Sequence, residues 1–156
     1  IRGIVDNAKL YRPDANLTRA EFLKIVLNTT GWALTGSIDM SFTDVPETAW
    51  YAPYVQLALE KKMIRDANNF RPNDSVTRAE AMKILTQALL VLVKDSTTST
   101  FTDVPENHSL AKYIEAAYFL EIIDGQVRAN GTRFFRPNDP INRAEIAKVI
   151  VKSFGL

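Results

Sequence analysis

Three arginines stand where a helix least favours positive charge. Arg19, Arg78 and Arg143 occur in Leu17-Thr18-Arg19-Ala20-Glu21, Val76-Thr77-Arg78-Ala79-Glu80 and Ile141-Asn142-Arg143-Ala144-Glu145. A helix N-terminus exposes unpaired N–H groups and carries roughly half a positive charge, so its first turn suits acidic residues. Capping explains the neighbours. Thr18, Thr77 and Asn142 read as N-cap residues, and Glu21 and Glu80 complete capping boxes in the first two segments, with Glu145 at the same position in the third. Nothing in capping requires arginine. A guanidinium beside exposed N–H groups makes a compact site for a carboxylate or phosphate. The competing reading is a surface ion pair with an acid such as Asp44 or Asp103. Three copies are compatible with binding and with inherited architecture, and the residues alone leave both open.

The elements that must position these arginines come from a repeat. Tyr11-Arg12-Pro13-Asp14, Phe70-Arg71-Pro72-Asn73 and Phe135-Arg136-Pro137-Asn138 each precede an arginine segment at a fixed interval, and the arginines are 59 and then 65 residues apart. Phe-Thr-Asp-Val-Pro occurs at 42–46 and again at 101–105. The extra residues of the last interval fall between Ile123 and Phe135, where Gly125 and Asn130-Gly131 predict a loop. Gly3-Ile4 corresponds to Met63-Ile64, so the first unit is the second half of a repeat. We expect units at 1–34, 42–93 and 101–156 forming one compact module, joined by linkers at 35–41 and 94–100.

Each whole unit reads as two helices. The first lies near Ala49 to Lys62 and Leu110 to Glu121, with apolar residues on one helical face. The second follows the arginine motif and carries the stripes Phe22, Ile25, Val26; Met82, Leu85, Leu89, Leu92; and Ile146, Val149, Ile150. Three such stripes can satisfy one another in a bundle. The prolines before each motif predict extended approaches to the helices.

Composition narrows the function classes. The chain has 156 residues, 46% of them apolar, and a formal net charge of +1 without blocks of like charge. This removes the electrostatic basis for a general nucleic-acid or anionic-membrane binder, so any anion site is local. The longest apolar run, Ala88 to Val93, is far shorter than the roughly 20 residues of a membrane span. Cysteine is absent, which excludes disulfides, zinc-thiolate sites and cysteine nucleophiles. His108 has no companion for metal binding or catalysis and reads as exposed or capping. Asp66, Asn68, Asn69, Asn73 and Asp74 lack the ligand spacing of a calcium loop. No metal, cofactor or catalytic residue is expected. Tyr54 reads as core and Trp50 as a groove residue. We read the chain as a portion of a longer protein.

The landmarks Phe42-Thr43-Asp44-Val45, Trp50, Tyr54, Ala58, Ile64, Phe70-Arg71-Pro72-Asn73 and Val76-Thr77-Arg78-Ala79-Glu80 resemble, in order and spacing, the S-layer homology repeat of bacterial cell-surface proteins. The resemblance implies an all-α, pseudo-three-fold spindle with a central bundle of motif helices and helical prongs. It also implies an extracellular, non-catalytic module that anchors a larger surface protein to secondary cell-wall polysaccharide. The ligand implied is a pyruvylated N-acetylmannosamine, whose ketal carries a carboxylate. By position, Arg19, Arg78 and Arg143 would grip it in grooves between units, with Asp44, Asp103 and Trp50 shaping the walls. The alternatives on the same scaffold are a structural or protein-interaction domain and a direct peptidoglycan binder. The pattern departs from the family at Ser109 in the Trp50 position, at Asn142, and at Lys62 and Asp66 in place of glycines. With half of the first unit absent from the repeat, at most two competent grooves are expected.

Overall fold

The computed structural model describes residues 4–6, 8–34, 36–40, 42–94 and 99–156. Elements follow in the order β1 (Ile4–Asp6), β2 (Ala8–Leu10), α1 (Arg19–Thr30), α2 (Ala52–Glu60), α3 (Arg78–Ala88), α4 (Ala111–Phe119), β3 (Gln126–Val127), β4 (Arg133–Phe134) and α5 (Arg143–Phe154). The molecule is helical, with two short antiparallel hairpins, β1-β2 and β3-β4. Helices α1, α3 and α5 begin at the three arginine motifs. Helices α2 and α4 are the prongs and pack on α1 and α3 respectively.

Capping sets where the motif helices start. Thr18, Thr77 and Asn142 accept from the N–H groups of Glu21, Glu80 and Glu145, and each glutamate reaches back to its cap residue's N–H. The box is therefore complete in all three units, asparagine serving as well as threonine. Apolar stripes then drive packing. Phe22, Val26, Met82, Leu85, Ile146, Val149 and Ile150 are all buried in one core with Val55, Ala58, Ile114 and Ala117 of the prongs.

The three units close on one another in a ring. Leu17 N–H donates to the Ile141 carbonyl, Ile141 N–H to Val76, and Val76 N–H to Leu17, at 3.0–3.2 Å. Each of these residues is 0–1% exposed, so the ring satisfies backbone groups that water cannot reach. This cyclic exchange gives the spindle its pseudo-three-fold character.

Several expectations change in detail. The prong helices are shorter than expected, because the turns at Pro46–Ala49 and Pro105–His108 use i to i+3 bonds before the helices begin. The insertion between Ile123 and Phe135 is a hairpin rather than a plain loop: Arg128 N–H donates to Thr132, and Asn130 Oδ1 accepts from Thr132. At its base Gly125 lies at φ +70°, and a Cβ there would meet the buried Phe101 ring at 2.4 Å. The residues before the motif prolines are not extended. Arg12, Arg71 and Arg136 lie at φ +48°, +60° and +62°, the last two with the carboxylate contacts described below. Leu92 is 86% exposed, because α3 ends at Ala88 and the chain turns through Leu90 at φ +56°. Of the expected linkers, Thr35, Ser41 and 95–98 lie outside the described residues. The rest is tied to the prongs by one repeated position: Gln56 accepts from Asp39 N–H, and the buried Glu115 accepts from Thr100 N–H and hydroxyl.

The prong helices end in left-handed residues without glycine, Lys62 at φ +58° and Glu121 at φ +58°. Each closes a Schellman pair of bonds, Lys62 to Leu59 and Met63 to Ala58 in the first case. A β-carbon in this conformation costs about 1–2 kcal/mol, partly offset by the entropy that glycine loses on folding. Lys62→Gly is therefore expected to stabilise the fold by about 0.5–1 kcal/mol, measured as a shift of the urea midpoint.

Candidate functional site

Each motif arginine is the first residue of its helix and reaches across to the next unit. Arg19 Nη1 pairs with Glu80 Oε1 at 2.7 Å, Arg78 Nη1 with Glu145 Oε1, and Arg143 Nη2 with Glu21 Oε1 at 2.9 Å. The partners are thus the capping-box glutamates, and neither Asp44 nor Asp103 is the acid involved. Each glutamate serves two helices: one carboxylate oxygen holds its own cap residue and the other holds the preceding unit's arginine. A second bond fixes the fork in two units. Arg19 Nε donates to the Phe70 carbonyl at 2.9 Å and Arg78 Nε to that of Phe135 at 2.8 Å, with each guanidinium about 5 Å above the same aromatic ring.

The charge at these helix starts is offset by the neighbouring turn. Arg19 and Ala20 N–H donate to the carbonyls of Asp74 and Pro72, Arg78 and Ala79 N–H to Asp139 and Pro137, and Arg143 and Ala144 N–H to Ala15 and Pro13. The proline motif of one unit therefore caps the helix of the previous one. Asp44 and Asp103 hold that turn in place. Asp44 accepts from Phe70 and Arg71 N–H at 2.8 and 2.7 Å, and Asp103 accepts from Phe135 and Arg136 N–H at the same distances. Each carboxylate bridges two successive N–H groups across the positive-φ residues Arg71 and Arg136; Arg12, at φ +48°, adopts the same turn without a described carboxylate.

Two clefts open beside these arginines. The larger, of about 760 Å³, is lined by Glu21, Lys24, Asn28, Trp50, Arg143 and Ile150 among others. Here Trp50 is 53% exposed, meets Tyr51 edge-on and carries Lys24 Nζ 5.0 Å over its ring. The smaller, of about 130 Å³, is lined by Arg78, Glu145, Lys148, Asp124, Gly125 and Gln126 among others. Asp124 receives Lys152 at 3.0 Å and Lys148 at 3.5 Å, and the hydrogen bond from Lys152 holds its carboxyl below the usual range.

The clefts share a layout that the sequence reading missed. Lys24, Lys83 and Lys148 each lie five residues after a motif arginine, and each faces the arginine of the preceding unit: Lys24 with Arg143, Lys148 with Arg78. Lys83 completes the set near Arg19, where burial first, then Arg65 and Arg19, lower its pKa. The constant spacing was in plain view. Lysine on a helical face is so common that spacing alone carries little weight. Arg19, 12% exposed at its side chain, lies between the Phe70 ring and Glu80. Tyr54 packs partly buried against the core, and His108 Nδ1 accepts from Leu110 N–H at 3.2 Å at the entrance to α4. Among the described residues no group of three or more His, Asp or Glu side chains is placed to hold a metal ion, and no helix is long and apolar enough to cross a membrane.

The profile of the S-layer homology domain matches residues 41–82 and 100–147. Similar proteins include a surface-layer 125 kDa protein of Lysinibacillus sphaericus, 33% identical over 92% of this chain, and the exoglucanase XynX of Acetivibrio thermocellus, 33% identical over 96%. An amylopullulanase of Thermoanaerobacterium thermosulfurigenes is 31% identical, also over 96%. The chain spans only 12%, 14% and 8% of the lengths of these relatives. Two profile matches over more than half of the chain, the cyclic motif architecture and the relatedness to surface-layer proteins converge: the chain belongs to the S-layer homology domain family, whose place is the bacterial cell surface and whose role is anchoring at the cell wall.

Proposed function

We propose that the chain anchors its parent protein by binding secondary cell-wall polysaccharide through a carboxylate-bearing terminal sugar, a pyruvylated N-acetylmannosamine, in the clefts between units. The observation that carries this reading is the cleft where Arg143, Lys24 and the exposed Trp50 meet. Two cations face one carboxylate there, Glu21, leaving one positive charge for an anion. An exposed indole beside them offers a flat apolar face to a sugar ring. Arg78 and Lys148 repeat the cation pair in the second cleft, with Asp124 and Glu145 as counter-charges. Asp44 and Asp103 contribute by holding the turns that shape the repeats, and Arg19 with Lys83 by the third copy of the layout.

The arginines also hold the fold, so they are poor probes of binding. Lys24 and Trp50 are better. Calorimetric titration with a pyruvylated cell-wall disaccharide should give a heat signal with the unaltered chain. Loss of a charge-assisted bond worth about 1.5–3 kcal/mol should weaken binding roughly 10- to 100-fold in Lys24→Ala. Trp50→Ala should weaken it too, with thermal stability close to that of the parent. Absence of heat with the folded parent, or unchanged affinity in both variants, would overturn the reading and favour a scaffold without this ligand.

A further inference from the structure

The two clefts differ in the charge they present. In the larger, Arg143 and Lys24 face Glu21, leaving one positive charge unanswered. In the smaller, Arg78 and Lys148 face Glu145 and Asp124, and the signs balance. Glu21 and Glu145 are equivalent capping-box residues, so the charged side chains differ by Asp124 alone. Its carboxylate lies 3.5 Å from Lys148 Nζ, on the lysine that stands where Lys24 stands in the other cleft.

Asp124 is held there from three sides. Lys152 Nζ reaches its carboxylate at 3.0 Å while donating to the Glu121 carbonyl at 3.1 Å, which fixes the lysine near the end of α4. Arg133, on strand β4 of the inserted hairpin, donates from Nη1 to the Asp124 carbonyl at 2.8 Å. The next residue, Gly125, is fitted against the Phe101 ring, where the backbone has no room for a side chain.

The repeat shows that this carboxylate is not a requirement of the fold. The residue after the isoleucine landmark is Arg65 in the second unit and Asp124 in the third. The position that holds it changes as well. Gln87 corresponds to Lys152 and donates to the Lys62 carbonyl at 2.8 Å as Lys152 does to that of Glu121, but its Oε1 is buried without a partner. Arg65 is exposed and adds a third cation to Arg19 and Lys83. One repeat position therefore carries opposite charges in two equivalent grooves.

We propose that Asp124 is a built-in occupant of the Arg78 cleft. Its carboxylate takes the place on Lys148 that the carboxylate of a bound sugar takes on Lys24, so an anionic ligand enters the larger cleft in preference to this one. Asp124 is thereby a specificity-determining residue, and the two clefts are ranked rather than equivalent. This rests on the reading of the clefts as carboxylate sites.

The test is an NMR titration of the unaltered chain and of Asp124→Asn, with the amides of Leu23–Ile25 reporting on the larger cleft and those of Ala147–Val149 on the smaller. The probes are the pyruvylated disaccharide and, separately, inorganic phosphate. In the unaltered chain the Leu23–Ile25 signals should reach half-saturation at about tenfold lower concentration than those of Ala147–Val149. Asp124→Asn should lower half-saturation at Ala147–Val149 by about tenfold or more, the worth of one charge-assisted bond, and leave it unchanged at Leu23–Ile25. Asp124→Glu, which keeps the charge, should behave as the parent. The Asp124 side chain is more than half exposed, so all three chains should fold alike. Equal half-saturation at Ala147–Val149 in the parent and Asp124→Asn, an equal gain in Asp124→Glu, or silence of these amides with both probes in Asp124→Asn overturns the proposal. A gain at Ala147–Val149 with phosphate alone, or with Leu23–Ile25 silent, sustains it and overturns the glycan reading instead.

Discussion

Arg78→Ala is expected to cost about 3 kcal/mol, because it removes the more buried partner of an ion pair together with its bond to a neighbouring carbonyl. The side chain is 14% exposed, and its removal leaves the Phe135 carbonyl without its side-chain donor and Glu145 Oε1 with only Arg136 Nη2 at 3.9 Å. For a chain of this length such a loss should lower Tm by about 10 °C. Arg78→Lys should recover less than half of it, since an ammonium cannot bond the carbonyl and the carboxylate in the fork geometry that the guanidinium uses. A double-mutant cycle with Glu145→Ala isolates the pair: the two losses should be clearly non-additive. Additive losses would mean that the arginine acts through packing on the Phe135 ring rather than through the ring of ion pairs.

Comparable in size is the expected effect of removing the turn-holding aspartates. Asp44→Ala deletes two charge-assisted hydrogen bonds and should cost about 3 kcal/mol, with Asp103→Ala alike. The loss extends beyond the turn. Phe70 would no longer be aligned to accept from Arg19, whereas the carbonyls of Pro72 and Asp74 should go on capping α1, as those of Pro13 and Ala15 cap α5 without a described aspartate. Asp44→Asn, which keeps one acceptor, should lose about half as much. Urea denaturation of the three variants measures this directly. A change within about 0.5 kcal/mol in Asp44→Ala would show that the turn holds itself, contrary to the geometry.

The contrast between these two sites and the rest of the chain shows which information is local. Thr18, Thr77 and Asn142 with glutamate three residues on announce the helix starts, because a cap is a contact between near neighbours. The stripes Phe22, Val26 and Ile146, Ile150 announce the core, because helical periodicity maps sequence onto one face. Leu92 broke its stripe, since the left-handed turn at Leu90 is made by a residue that does not advertise it. The hairpin at Gln126–Phe134 was legible only as turn residues, its strands being two residues long.

The partner of each arginine was not legible. Glu80 is 61 residues from Arg19 and Glu21 is 122 from Arg143, and only the rotation of one unit onto the next brings them within hydrogen-bond distance. The carboxylates of Asp44 and Asp103 bind backbone N–H groups, which carry no residue letter at all. By itself, then, the sequence determined the repeat, the helices, the caps, the core faces and the family. The tertiary structure decided that the arginine is a clamp as well as a candidate ligand, that Lys24 and Lys148 stand beside it, and that Asp124 pairs with the second of these lysines. The physical reason is that capping and periodicity act within a few residues, whereas closing a ring of repeats is a property of their packing in three dimensions.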